Sequence, residues 1–298
     1  TINIGGIKGL QRQAAAQSFE AEKTRITLET RHWQKSLREY FYNTLATQQK
    51  STAYKKLTDR LQAVTHIVKQ RAQQGDASRF DALRVEKELS VLLAQSANAE
   101  ANYLNLRHAL FTLLDAPYQE LKENLLPTIT IDEAFQATQH PLLLALRYEQ
   151  RSAELSAQAA GREHWPELTF GIGRKELEEA FDASGNTVSI GISLPLFDRG
   201  RGEKQIATNR ARQLQAETAL SQRQLEVEYQ SAITAYHTNL KAASALKSFS
   251  ISEHNSLSSL AEASYQAGEL NVADLLNAYQ SDLTTTLNYI NTALDARL

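Results

Sequence analysis

Asp81 and Asp274 stand six residues after Gly75 and Gly268, and each lies in the first turn of a predicted helix. A carboxylate there faces the positive end of the helix dipole. The seven histidines, at 32, 66, 108, 140, 164, 237 and 254, show no HxxxH or HxH spacing, so no metal site is read from them. There is no Cys, hence no disulfide, thiolate ligand or cysteine nucleophile. GxSxG, P-loop and Gly-rich dinucleotide turns are also missing, and strand alternation accounts for Thr187, Ser189 and Ser193. The expectation is a protein with no catalytic residue and no cofactor, and not an enzyme.

The elements that carry the two aspartates form an internal repeat. Gly9 and Gly75 are 66 residues apart, as are Gly202 and Gly268, and the two copies are offset by 193. At that offset Ala14 falls on Ala207, Gln73 on Gln266, Asp81 on Asp274 and Leu83 on Leu276. Each copy reads as a glycine-marked start, a very long helix, a glycine break and a second long helix. The period is too long for a solenoid and fits a duplicated helical hairpin. Residues 10–73 and 203–267 hold no Pro or Gly, so each predicts one helix of about 95 Å at 1.5 Å per residue. Helices that long belong to bundles and coiled coils. Leu57, Leu61, Val64, Ile67 and Val68 recur at three- and four-residue steps, the spacing of a packed face.

Ser78 or Asp76 is positioned to cap the helix after the first break, and Asn271 the helix after the second. The first of these runs to about Leu114, where Asp115-Ala116-Pro117 ends it. A linker follows over 118–138, with a β-like stretch at 128–131 and a short helical piece at 132–135. His140-Pro141 starts a helix extending to about His164.

Next comes a β hairpin. Leu168, Phe170 and Ile172 alternate with Thr169, Gly171 and Gly173, while Val188, Ile190 and Ile192 alternate with Ser189, Gly191 and Ser193. Each run is about ten residues long, the length of a tilted membrane-spanning strand, and the apolar set suits lipid. Residues 182–186 read as the connecting turn. Trp165 and Phe197 sit at the same end of the hairpin, as an aromatic girdle at one membrane interface would. A soluble, half-buried hairpin is the plainer alternative. Thr1 aligns with residue 194, so the counterpart of roughly 140–193 is expected to precede the chain.

Composition sets the outer limits. Net charge is −2, so no basic field draws nucleic acid. No run of about 18 apolar residues predicts a membrane helix, which leaves a barrel open. Met is missing even at position 1, the expectation for a processed or trimmed chain or for a sequence from which methionines were omitted.

At this point the residues resemble a family, the TolC-like outer-membrane efflux ducts. Trp165-Pro166-Glu167-Leu168-Thr169 resembles its passage from helix into strand. Ser193-Leu194-Pro195-Leu196-Phe197-Asp198-Arg199-Gly200 resembles its strand exit into the long helix. The Gly75–Asp81 and Gly268–Asp274 spacings resemble its two periplasmic turns, and the duplication is shared. The Phe197-Asp198-Arg199 form with Gly202 is most similar to the branch serving cobalt–zinc–cadmium-type export pumps.

The resemblance implies a mainly α fold with a small membrane β part. Duplicated long helical hairpins form a trimeric α-barrel tunnel, joined to a twelve-stranded barrel with four strands per protomer. On that plan residues 1–9 end the first β hairpin and 10–114 are the first helix pair of a periplasmic tunnel. Residues 115–138 are an equatorial linker, 139–164 a helix, 165–197 the transmembrane hairpin and 198–298 the second helix pair. The implied partners are two further copies in a homotrimer, a periplasmic adaptor, a proton-driven inner-membrane pump and outer-membrane lipid, with no nucleic acid. The implied function is a passive exit duct, with heavy-metal cations among its conceivable substrates.

Residue by residue, Asp274 matches an acidic position near the tunnel's closed end, where three copies would form a carboxylate ring that selects cations and impedes anions and whose members raise one another's pKa, while Asn277 stands where some members carry a second acid. Leu270 stands where some carry a basic residue that locks the aperture, so that lock is not carried over. Gly75, Gly268 and Asp81 match the turns that meet the adaptor. The bland readings stand beside these: Asp274 as a dipole partner, the glycines as plain C-caps, and Arg71, Arg79 and Arg84 as ordinary surface charge rather than pairs across the tip. The rival to the duct is a soluble coiled-coil scaffold, which has no need of a hairpin with an apolar outer face.

Overall fold

The computed structural model describes residues 2–3, 6–127, 135–163, 165–177, 183–193, 200–250 and 256–298. Six α-helices dominate these: α1 (Ile7–Gln74), α2 (Arg79–Leu113), α3 (Pro141–Ala160), α4 (Arg201–Ser250), α5 (Leu257–Gln266) and α6 (Val272–Arg297). Three strands, β1 (Ile2–Asn3), β2 (Glu167–Leu177) and β3 (Ala183–Ser193), form one antiparallel sheet in that order. A 3-10 turn at Ala137–Gln139 precedes α3.

Helix α1 is a single element of 68 residues. Threonines are numerous on it, and their hydroxyls donate to carbonyls one turn back, as Thr44 does to Tyr40 at 2.7 Å and Thr65 to Leu61 at 2.7 Å. That satisfies the hydroxyl locally and lets Thr44, Thr58 and Thr65 sit buried on a packed face.

The second long helix is not continuous as expected. Helix α4 covers Arg201–Ser250, residues 251–255 lie outside the described residues, and a new helix, α5, starts after Ser256, whose extended backbone and side chain cap it. The stretch from 248 to 259 is rich in serine. Serine hydroxyls compete for backbone donors, and here Ser256 Oγ accepts from the Ser259 N–H while Asp282 accepts from the Ser258 N–H at 2.8 Å. Three other boundaries move. Helix α3 stops at Ala160, short of His164. The glycines that need a left-handed backbone before α1 and α4 are Gly6 (φ 66°) and Gly200 (φ 62°), whereas Gly9 and Gly202 lie inside the helices. Ala183, Ser184, Gly185 and Asn186 belong to β3 rather than to a turn, because the ladder runs on to Leu177↔Ala183. Pairing with β2 overrides the weak strand propensity of these small residues. The expected features at 128–134 and 194–199, Phe197 included, lie outside the described residues.

The chain divides into two compact units, 1–32 with 132–228 and 33–131 with 229–298. In the first, Leu143 and Leu146 of α3 pack with Ala137 and Leu214 of α4. Glu149 of α3 pairs with Arg25 and, at 3.8 Å, with Arg210. Ser152 donates to the Ala14 carbonyl at 2.9 Å, where a small residue allows close approach.

The second unit holds two cores. One joins Leu57, Leu61, Val64 and Val68 of α1 to Val85 and Leu92 of α2, Tyr265 of α5, and Leu275, Leu276 and Tyr279 of α6. The spacing read as a packed face on α1 is therefore a packed face. The other joins Leu45 and Ala46 to Leu125, Leu126, Ala243, Tyr289 and Ile290. Arg297 fastens the linker there, reaching Glu123 at 2.9 Å and the Asn124 carbonyl at 3.0 Å.

Candidate functional site

Two regions carry the residues singled out from sequence: the pair of helix turns and the β hairpin. The turns are built alike. Gly75 (φ 87°) and Gly268 (φ 76°) take the left-handed backbone that glycine adopts freely. Each closes a Schellman motif: Asp76 N–H bonds the Arg71 carbonyl at 2.8 Å, and Glu269 N–H bonds that of Ser264 at 2.9 Å. A Cβ at either glycine would meet nothing within 4 Å, so both turns are bare on the outside. Three residues on, Ser78 and Asn271 cap the following helices. Their side-chain oxygens accept the N–H of Asp81 (3.0 Å) and of Asp274 (2.9 Å). The aspartates answer: Ser78 Oγ donates to Asp81 Oδ2 and Asn271 Nδ2 to Asp274 Oδ2, both at 2.7 Å.

The dipole role of the two aspartates is thus present in the geometry, with the capping side chain as an added partner. Asp274 and Asn277 are exposed, one turn apart on α6. They line a groove of about 490 Å³ together with Leu257, Leu260 and Leu270. Arg71 does reach the other hairpin. Its partners are the Tyr265 ring, 5.2 Å from the guanidinium carbon, and the Gln266 carbonyl at 3.4 Å, rather than an acid.

In the hairpin the register pairs Leu168 with Ile192, Phe170 with Ile190 and Ile172 with Val188. Directly opposed residues share one face of a sheet, so all six apolar side chains lie together. Leu168 is half-buried, and the other five are left to solvent within the chain, Ile172 to 88% and Ile190 to 68%. The other face carries Thr169, Gly171, Gly173, Thr187, Ser189 and Gly191. Trp165, just before β2, is exposed. Strand β1 extends the sheet, with Ile2 opposite Leu168.

One cluster has no counterpart in the sequence reading. Glu262 of α5 accepts from Arg60 Nε at 2.7 Å and from the hydroxyl of buried Tyr279, while Arg60 also donates to Ser258 Oγ at 2.9 Å. Burial first, then the bond to Glu262, pushes the Tyr279 phenol well above its ordinary range. Arg60 and Glu262 are 202 residues apart. No local spacing announces such a contact; only the packing of α1 on the second hairpin creates it. Among the described residues no group of His, Cys, Asp and Glu could hold a metal ion, and no helix is long and apolar enough to cross a membrane.

Paired long helices with capped glycine turns, together with a sheet bearing a bare apolar face, are the parts of a TolC-like fold. The outer membrane efflux protein family matches residues 136–297, more than half of the chain, and the chain belongs to that family. It is 22% identical over 296 residues to the cobalt-zinc-cadmium resistance protein CzcC of Cupriavidus metallidurans, covering 97% of this chain and 71% of that protein. Its fold is similar to that of a membrane protein from Pseudomonas aeruginosa, with a TM-score of 0.85 at 18% identity over 99% of this chain and 73% of that one. It is also similar to CusC, with a TM-score of 0.84 at 17% identity over 99% and 73%.

Proposed function

We propose that this chain is the outer-membrane exit duct of a tripartite efflux assembly. It acts as a homotrimer and passively conducts substrates from a proton-driven inner-membrane pump and a periplasmic adaptor to the outside. The observation that carries this is the hairpin register, which collects Leu168, Phe170, Ile172, Val188, Ile190 and Ile192 on one face, exposed at all of them but half-buried Leu168. A face of that kind needs an apolar solvent, and strands of 11 residues are long enough to cross one. Small and hydroxyl-bearing residues on the opposite face suit a water-filled lumen.

In this reading residues 165–197 are the membrane hairpin of a twelve-stranded barrel, with Trp165 and Phe197 at one interface. Residues 10–114 and 198–298 are the tunnel wall. The bare turns at Gly75 and Gly268, with Asp81 beside the first, receive the adaptor. Three copies of Asp274 form a carboxylate ring at the constriction, with Asn277 one turn further along. Heavy-metal cations are the substrate class favoured by the likeness to the cobalt-zinc-cadmium resistance protein. The chain's own contribution is a pore whose narrowest ring favours cations.

The test is single-channel conductance of the full-length protein in planar bilayers, with and without divalent cations, comparing wild type with Asp274→Asn. Discrete cation-selective openings, less selective in the variant, are expected. Openings indifferent to the substitution would keep the duct and remove the ring. A folded trimer that never opens would favour the scaffold.

A further inference from the structure

Helices α1, α2 and α6 surround a cavity of about 300 Å³, all of it within the second compact unit. On α2 its lining residues are Glu88, Val91, Leu92 and Gln95, spaced i, i+3, i+4, i+7. The same spacing recurs on α6 at Leu276, Tyr279, Gln280 and Leu283. Each helix therefore turns one face to the cavity. The floor is apolar: Leu57, Leu61, Leu92 and Leu276 are buried, none above 9% exposure. Tyr54 and Tyr279 add aromatic surface, and the Tyr279 hydroxyl is already engaged by Glu262.

The rim is polar on both sides. Half-buried Glu88 and exposed Gln95 stand on α2, and exposed Gln280 and Thr284 on α6. Gln280 Nε2 donates to Glu88 Oε1 at 2.6 Å and so bridges the rim. Among the described residues no Lys, Arg or His pairs with Glu88; Lys69, on the facing helix, is held by Glu86. A neutral amide meets one lone pair of a carboxylate and leaves its charge uncompensated. An ammonium would meet the charge as well, through a shorter and stronger hydrogen bond.

We propose that this cavity binds a lipophilic aromatic amine. The aromatic body lies among the four leucines and the two tyrosines, and the ammonium sits at the rim beside Glu88. An apolar cavity of about 150 Å³ holds one benzene ring, so this one has room for about two fused rings. Apolar burial holds the body, and the single carboxylate selects for positive charge. Offset or edge contacts with Tyr54 and Tyr279 favour an aromatic body over an aliphatic one. The site goes beyond the duct reading and does not depend on it, because every residue that builds it belongs to one copy of the chain.

The probe is 1-naphthylmethylamine, with 1-naphthalenemethanol as its neutral counterpart. Each is titrated by calorimetry into the full-length protein at one fixed detergent concentration. Partition into micelles is common to all variants, so differences between variants read the site. The amine is expected to bind saturably and about tenfold more tightly than the alcohol. Glu88→Gln keeps the shape and removes the charge. It should bring the amine down to the alcohol's affinity and leave the alcohol unchanged. Val91→Trp, at an exposed rim position, should close the cavity to both. Slower amide exchange over 88–95 and 276–287 on adding the amine is expected to locate the bound probe there. No saturable binding, equal affinity for amine and alcohol, indifference to Glu88→Gln, or binding that Val91→Trp leaves intact would each overturn the proposal. A full-length protein that binds the amine in this way yet never conducts would remove the duct and keep the site.

Discussion

Asn271 and Asp274 hold each other twice: the Asn271 side-chain oxygen accepts the Asp274 N–H at 2.9 Å, and its amide nitrogen donates to Asp274 Oδ2 at 2.7 Å. Ser78 and Asp81 repeat the arrangement 193 residues earlier with a hydroxyl in place of the amide. The carboxylate proposed to line the constriction is therefore also the residue that fixes the start of its helix.

Removing that cap should loosen the start of α6. Asn271→Ala is expected to lower local stability by about 1 kcal/mol, the usual worth of an N-cap. Asn271→Ser should change little, since serine does the same work at position 78. Hydrogen exchange at the Asp274 and Leu275 amides distinguishes the two. The alanine variant should exchange roughly fivefold faster, the serine variant near the wild-type rate. Equal acceleration in both would mean that the cap contributes nothing particular here.

Tyr279 makes stability sensitive to alkali. Its phenol is buried and donates to Glu262, so the folded chain holds the proton well above the ordinary phenol pKa. Below pH about 10 the tyrosine is neutral in both folded and unfolded states and no dependence arises. Above it the unfolded chain ionises first, and stability falls as pH rises. Tyr279→Phe is expected to lower stability by about 1 kcal/mol at neutral pH through the lost hydrogen bond. It should also flatten the alkaline decline. Urea unfolding midpoints between pH 7 and 11 test this, and a variant as alkali-sensitive as wild type would exonerate the phenol.

The turns and the hairpin were legible in the sequence because they depend on local chemistry. A glycine before a capping residue and an acid, or apolar residues at alternate positions, need only a few neighbours to express their meaning. The fresh helix start at Ser256 was not legible, because Ser256 caps α5 in concert with Asp282, 24 residues from Ser258, the donor it holds. The Arg60–Glu262–Tyr279 cluster was hidden for the same reason. Long-range partners are chosen by packing, and identical side chains elsewhere on α1 remain solvated.

At the start of α3, His140 Nδ1 accepts the Leu142 N–H at 3.3 Å, which requires the neutral ring. Burial, then the charge of Arg31, lowers its pKa, and Glu228 opposes them weakly. A base with a depressed folded pKa contributes stability above its unfolded value, near 6.5, and loses it as pH falls below that. Acidification from pH 7 to 5 is therefore expected to loosen α3. His140→Asn, which retains a capping oxygen without titrating, should remove that part of the response. Exchange of the Leu142 and Leu143 amides measured at both pH values reads it directly; a pH response unchanged in the variant would assign the effect to other groups.

The two faces of the hairpin should respond oppositely to charge. Ile190 lies opposite Phe170 on the apolar face, and Thr187 lies opposite Gly173 on the polar one. If the apolar face meets lipid, Ile190→Arg places a guanidinium in hydrocarbon, at about 2–4 kcal/mol near the bilayer midplane. Thr187→Arg places it in the lumen, where water solvates it and the change acts on selectivity instead. Insertion of the refolded full-length protein into phosphatidylcholine vesicles, read by protease protection of the hairpin, should fall by more than tenfold for Ile190→Arg and hardly at all for Thr187→Arg. Equal tolerance of both would leave the apolar face facing something other than lipid. A soluble hairpin covered by protein predicts that pattern, with Ile190→Arg instead impairing assembly in detergent-free buffer.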